Sequence, residues 1–172
     1  MRLLFAIDLH DYAACTHTFR RDSARAIILR EGRVAMVHSR RDDYYKFPGG
    51  GIEKDESPID AMMRETREEA GLIVRPETVR EYGYVHRIQR GGQDPQECFI
   101  QDNYYYLCEA EAEALPPQME AYEAEAGFEP VFVDARAAIR VNRECAAGSR
   151  YHTMLLREAQ VLEMLIEEGI IP

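Results

Sequence analysis

Gly50-Gly51-Ile52-Glu53-Lys54-Asp55-Glu56-Ser57-Pro58-Ile59-Asp60-Ala61-Met62-Met63-Arg64-Glu65-Thr66-Arg67-Glu68-Glu69-Ala70-Gly71-Leu72 carries a complete set of helix signals behind a glycine-rich loop. Ser57 is suited to the N-cap, Pro58 to the first helical position and Asp60 to a capping box. Gly71 supplies the left-handed residue that stops a helix. These signals predict a helix from Pro58 to about Ala70, with Ile59, Met62, Met63, Thr66 and Ala70 on its less polar face. Glu65, Glu68 and Glu69 then stand at i, i+3 and i+4 and share one face. Three like charges that close repel one another, so the spacing asks for a compensating cation. An oxygen-only donor set suits Mg²⁺ or Mn²⁺ better than zinc or copper. An acidic helix face paired with Arg64 and Arg67 is also common on solvated surfaces, so it is the loop and capped start before it that give the cluster its meaning.

Outward from this unit, Ala26 to Leu29 and Val34 to Val37 read as two strands joined by a tight turn at Glu31-Gly32. Asp42 to Gly51 interrupts all periodicity and reads as a loop, because Pro48 removes a donor and three glycines permit unusual backbone geometry. Glu81 to Arg90 and Phe99 to Cys108 are rich in Tyr, Val and Ile, as strands are, and Gly91-Gly92 separates them. Glu109 to Glu129 is acidic and Ala-rich with Pro116-Pro117, and reads as a partly ordered connection with one irregular helical turn at most. Val131 to Val133 predicts a short strand, Asp134 caps a short helix through Ile139, and Arg150 to Glu168 has amphipathic helical spacing. Strands mixed with helices predict an α/β chain whose sheet is covered on both faces.

The 172 residues fit one domain, 1–172, and 46% hydrophobic residues suffice for a core without disulfides. The formal charge of −10 opposes capture of a nucleic-acid polymer or an anionic membrane. Cys15, Cys98, Cys108 and Cys145 form no Cys-x-x-Cys pair, so neither a zinc ribbon nor a redox motif is indicated. The apolar run after Met1 is too short for a signal peptide and no later run approaches a transmembrane span, which predicts a cytoplasmic protein.

Gly50, Glu56, Arg64-Glu65, Glu68-Glu69, Ala70, Gly71 and Leu72, at these spacings, resemble the Nudix box. Thr66 is a soft match where the family prefers a bulkier apolar residue. Phe47-Pro48-Gly49-Gly50 and Glu53 also look like that family's approach to the box. The resemblance implies a Nudix-type α/β/α sandwich with a mixed β-sheet, Mg²⁺ or Mn²⁺ as cofactor, and hydrolysis of a phosphoanhydride in a small nucleotide substrate. It implies Glu68, Glu69 and the Gly50 carbonyl as metal ligands, Glu65 as ligand or as the base that orients water, and Arg64 as the group that holds the glutamates by ion pairs. Glu56 then supports the ligands or the loop from behind, and Glu53 does the same or reaches a second or third metal, the alternative for both being a favourable charge at the helix N-terminus. By the same resemblance a further carboxylate comes from downstream of the box, with Glu125 first and Glu123 and Glu129 as alternatives.

Substrate choice lies outside the box. The chain has Ile88-Gln89-Arg90 where ADP-ribose and dinucleoside polyphosphate enzymes of the family carry a Pro or a Tyr, and it lacks the patterns of the coenzyme A and NADH subgroups. Tyr44, Tyr45, Tyr104, Tyr105 and Tyr106 are available to stack on a base, although alternating strand tyrosines usually pack. Arg40, Arg41, Lys46 and Arg87 are available for phosphates. Arg40, Lys46, Tyr45 and Phe47 are the substrate-binding candidates. A nucleotide sensor on the same fold is the alternative, although it would be expected to lose box carboxylates that are present here. An isoprenoid isomerase would need a Cys and His constellation that is not evident. The apolar face of the last helix is compatible with a monomer or a homodimer.

Overall fold

The computed structural model describes residues 1–118, 121 and 125–172, and the alternative carboxylate Glu123 falls outside them. The strands are β1 (Leu3–Asp8), β2 (His17–Arg20), β3 (Ser23–Arg30), β4 (Arg33–Ser39), β5 (Tyr44–Lys46), β6 (Gly49–Gly51), β7 (Arg80–Arg90), β8 (Glu97–Cys108) and β9 (Phe128–Val133). The helices are α1 (Pro58–Ala70), α2 (Ala135–Ala146) and α3 (His152–Glu167), with one 3-10 turn at Pro76–Thr78.

The expected hairpin is β3 and β4, longer than its apolar kernel and antiparallel through Leu29↔Val34 and Arg30↔Arg33. The sheet runs β1-β7-β8-β3-β4-β5, with β2 on β8, β6 on β3 and β9 on β4. It is mixed: β1 is parallel to β7 and β3 parallel to β8, whereas β7 and β8 are antiparallel.

Side chains of a strand alternate between faces, and β3 shows which layer covers each. Ile27 packs into a cluster with Ala135, Ala138, Val161, Leu162 and Leu165, so α2 and α3 lie on that side. Its neighbours Ala26 and Ile28 join Ala61, Met62 and Ala70, so α1 lies on the other. The result is the α/β/α sandwich expected from the sequence. The apolar face of α3 is spent on this core, since Leu155, Leu162 and Leu165 are fully buried. Among the described residues, no helix is long and apolar enough to cross a membrane.

β1 was not foreseen and two readings need correction. The apolar residues after Met1 form β1 and lie along β7, a non-local pairing that no local pattern announces. The segment read as a loop contains β5 and β6. β6 is only glycine, yet Gly49, Gly50 and Gly51 pair with Arg25, Ala24 and Ser23, because backbone alone makes a ladder. The helix capped by Asp134, whose carboxylate accepts from the Ala137 N–H, runs to Ala146 and not to Ile139. It continues because buried Asn142 binds both the N–H and the carbonyl of Tyr45, each at 2.8 Å, and completes the edge of β5.

α1 has the expected bounds. Ser57 Oγ accepts from the Asp60 N–H at 3.1 Å, and Gly71 closes the helix at φ +66°. A Cβ on Gly71 would also overlap the Leu115 carbonyl. Ile59, in the first turn, is an exception to the predicted face, being 38% exposed.

Candidate active site

α1 lays its carboxylates against β6. Glu69 is 3% exposed; one oxygen accepts from Lys46 Nζ at 2.5 Å and the other from the Gly49 N–H at 3.1 Å. The buried ammonium and carboxylate fix the glycine strand to the last turn of the helix. Arg64 spans the rest: Nε and Nη2 donate to the two Glu56 oxygens at 2.9 and 3.0 Å, and Nη1 donates to Glu65 at 2.8 Å and to Glu68 at 3.2 Å. Its Nη2 also reaches the Gly51 carbonyl at 3.3 Å. The hydrogen bond from Arg64 holds the Glu56 carboxyl below its ordinary range. Burial pushes Glu65 up, the Arg64 hydrogen bond opposes that, and the charge of Glu69 adds to the rise.

Gly50 faces Glu65 so closely that a Cβ there would overlap the carboxylate. The absence of a side chain therefore lets the Glu65 carboxylate lie against the backbone of the glycine strand. This arrangement fits a hard divalent cation: every donor is oxygen, and the carboxylates already draw two side-chain cations, Arg64 and Lys46, into contact. Among the described residues no three acidic or imidazole groups converge on one point, as the carboxylates point to those cations.

These groups form one wall of a cleft of about 440 Å³. Its other walls carry Arg21, Arg25, Arg87, Arg150 and Arg157. Arg157 is tied to Glu158 at 2.5 Å, whereas Arg21, Arg25, Arg87 and Arg150 have no ion pair with a carboxylate among the described residues. Arg25 donates through Nη1 to the Gly49 and Phe47 carbonyls, and its buried Nε has no hydrogen-bond partner among the described residues. In a chain with ten more negative than positive charges, unpaired guanidiniums gathered in one cleft mark a place for an anion.

Of the sequence candidates, Gly50, Glu65, Glu68, Glu69, Lys46 and Arg87 line this cleft, and Arg64 with Glu56 braces it. Glu53 is exposed, and its N–H donates to Glu56 at 3.0 Å. Glu125 is not brought to the cluster: its side chain is 79% exposed, 4.0 Å from Arg41, at an adjoining cavity. Glu129 pairs with Arg40 at 3.0 Å, which places Arg40 on the outer surface. Tyr45 stacks on His38, and Phe47 is fully buried against Tyr105. Composition could not separate these, since the same residue types serve packing and binding. The cleft residues that sequence reasoning missed come from β2, β3, β8 and α3 and from the residues just outside β2 and α3, elements far apart in the chain. Arg157-Glu158, a charged pair inside the apolar stripe of α3, was the one visible signal.

The soft match in the box has a structural counterpart. Thr66 is fully buried and its hydroxyl has no hydrogen-bond partner among the described residues. Thr66→Val should stabilise the protein by about 1 kcal/mol, since an unmade buried hydrogen bond costs about that much. Thermal denaturation would show Tm rising by roughly 2–4 °C; a fall would mean the hydroxyl is satisfied.

A model described as the NUDIX domain matches residues 19–151. The chain belongs to the NUDIX family. RNA pyrophosphohydrolases from Xanthomonas oryzae pv. oryzae (strain MAFF 311018) and Xylella fastidiosa (strain Temecula1 / ATCC 700964) are each 40% identical over 65 residues, 38% of this chain. The match covers 31% and 33% of those proteins, so the chain spans about a third of their length. A NUDIX hydrolase structure from Nitrosomonas europaea superposes with a TM-score of 0.55 over 83% of this chain and 90% of that one, at 15% identity. That likeness concerns the fold.

Proposed function

We propose that the chain is a divalent-metal-dependent pyrophosphohydrolase cleaving a phosphoanhydride in a nucleoside diphosphate linked to another moiety, nucleoside triphosphates included. The observation that carries this reading is the juxtaposition of Gly50, Glu65, Glu68 and Glu69 with unpaired guanidiniums across one cleft. A polyphosphate needs both: positive charge on its oxygens, and carboxylates to hold a cation and accept a proton. Mg²⁺ or Mn²⁺, held by Glu68, Glu69 and the Gly50 carbonyl, would neutralise phosphate oxygens and lower the pKa of a bound water. Glu65, raised by burial, is the residue placed to take the proton of the attacking water or to complete the ligand set. Arg64 holds Glu65 and Glu68 in register, and Arg25, joined to the Gly49 carbonyl, stands ready for a phosphate oxygen. The protein works on this reading in the cytoplasm, as one domain.

Gly50→Ala should lower kcat/KM by roughly 10- to 100-fold, since displacement of a reacting group by about 1 Å has effects of that order. Steady-state kinetics would check this, and an unchanged value would remove Gly50 and Glu65 from the site. The proposal itself is tested by phosphate release, with and without a coupling phosphatase, across nucleoside triphosphates, ADP-ribose, nucleotide sugars and dinucleoside polyphosphates. RNA with a 5′-triphosphate belongs in the panel because two relatives are named RNA pyrophosphohydrolase, although the net charge disfavours a polymer. Turnover that EDTA abolishes and Mg²⁺ or Mn²⁺ restores supports the reading. Metal-dependent nucleotide binding with no turnover would favour a sensor instead.

A further inference from the structure

The cleft extends well beyond the carboxylates. Gly51 of β6 pairs with Ser23, Ser23 with Asn103 of β8, and Asn103 with Val85 of β7; Gln101 and Arg87 pair two residues further along. Arg87 thus stands three strands across the sheet from the glycine strand, roughly 14 Å at the usual strand spacing. Its guanidinium addresses a different part of a ligand from the phosphate held at α1.

The surroundings of Arg87 suit an anion. The Nε group donates to Gln89 Oε1 at 2.8 Å, which orients the guanidinium, and the guanidinium carbon lies 5.4 Å from the centre of the Phe99 ring. No carboxylate pairs with it among the described residues. Burial, with the nearby charge of Arg157, pushes Arg87 down to about 10. A largely buried cation near another is costly to keep charged, and a bound phosphate would offset that cost at Arg87. Beyond it, Phe99 and Phe19 lie 6.1 Å apart, and Phe19 is 46% exposed, an aromatic surface at the outer end of the cleft. Such a surface suits the flat face of a base.

We propose that Arg87, with Gln101 beside it and the Phe19 and Phe99 rings beyond, forms a second phosphate subsite for a group that is not cleaved, on the ribose 3′ side of a nucleotide whose 5′ phosphates lie at α1. The assignment rests on the pyrophosphohydrolase reading for the position of the 5′ phosphates. It makes the preferred ligand a nucleotide with phosphate at both ends of its ribose. That chemistry has two sources, the 3′-phosphomonoester of a small nucleotide and the 3′-phosphodiester that follows the first residue of a nucleic-acid chain.

Calorimetric titration of the whole protein with AMP, adenosine 3′,5′-bisphosphate and a 5′-phosphorylated dinucleotide tests this. None of the three contains an anhydride, so the result stands whether or not the protein turns over, and a failed hydrolysis assay is distinguishable from a failed subsite. The wild-type protein should bind the bisphosphate or the dinucleotide on the order of tenfold more tightly than AMP, the size of one charge-assisted contact. The tighter of the two names the source. Arg87→Gln should bring the ratio to within about twofold and Arg87→Lys should keep part of it. Equal wild-type affinities, no binding of any of the three, or a preference that survives in Arg87→Gln would overturn the proposal; the wild-type ratio decides it even where a variant fails to fold.

Discussion

Glu68→Gln is expected to lower kcat by roughly 10²- to 10⁴-fold while leaving the fold intact, the range spanned by loss of a positioned proton-transfer or charge-stabilising group. The two effects separate because of where Glu68 sits. Its side chain is 40% exposed and, among the described residues, is held by Arg64 alone, at 3.2 Å, as one of four groups that Arg64 binds. A surface pair of this kind contributes at most about 1 kcal/mol, so Tm should move by no more than a few degrees. The amide keeps the shape and removes the charge that a cation requires. Steady-state kinetics beside a thermal melt would show the split, and a variant with near wild-type kcat would take Glu68 out of the chemistry.

Glu158→Gln should do the reverse and act first on stability. Glu158 is fully buried and serves three elements: it accepts from the Phe47 N–H at 3.0 Å, from Tyr105 Oη at 3.3 Å, and from Arg157 Nη2 at 2.5 Å. Arg157 in turn donates to Asn103 Oδ1 at 2.6 Å, and Ser23 Oγ donates to the same oxygen at 2.7 Å. The amide leaves a guanidinium that is 3% exposed without its counter-charge. Breaking a buried pair in this way costs about 3–5 kcal/mol, or roughly 6–20 °C in Tm for a chain of this size. Replacing both partners with apolar residues, Arg157→Met with Glu158→Leu, should recover part of the loss because the stranded charge is gone. Thermal and denaturant melts of the three variants would measure this; a loss under about 1 kcal/mol in Glu158→Gln would mean that water reaches the pair. Phe47 leads into the glycine strand, so the same network also steadies the wall that carries Gly50.

What could be read from the sequence was local. The helix α1 was legible to the residue, because Ser57, Pro58 and Gly71 act through bonds within a few positions of themselves. The β3 and β4 hairpin was legible for the same reason. β1 and β2 were not, since each is a strand only by virtue of a parallel partner about 80 residues away. The site divides along the same line. Glu65, Glu68 and Glu69 share a helix face, and their spacing alone places them together. Arg25 and Arg150 reach the cleft only through sheet register and the docking of α3, so nothing in their neighbourhoods distinguishes them from surface arginines, whereas Arg87 was a phosphate candidate and Arg157 was marked by its place in an apolar stripe. Tyr45 and Phe47 flank the one cleft residue of their segment, Lys46, and alternation sends them elsewhere: Phe47 into the core and Tyr45 onto His38.

The central claim is that the α1 carboxylates hold a divalent cation on which turnover depends. Titration of wild type and Glu68→Gln with Mn²⁺, with bound ion followed by electron paramagnetic resonance and phosphate release measured in the same samples, tests it most directly. The account predicts that bound Mn²⁺ and turnover rise together in the wild type and fall together in the variant. Mn²⁺ binding untouched by the substitution, or turnover that persists in EDTA, would contradict it.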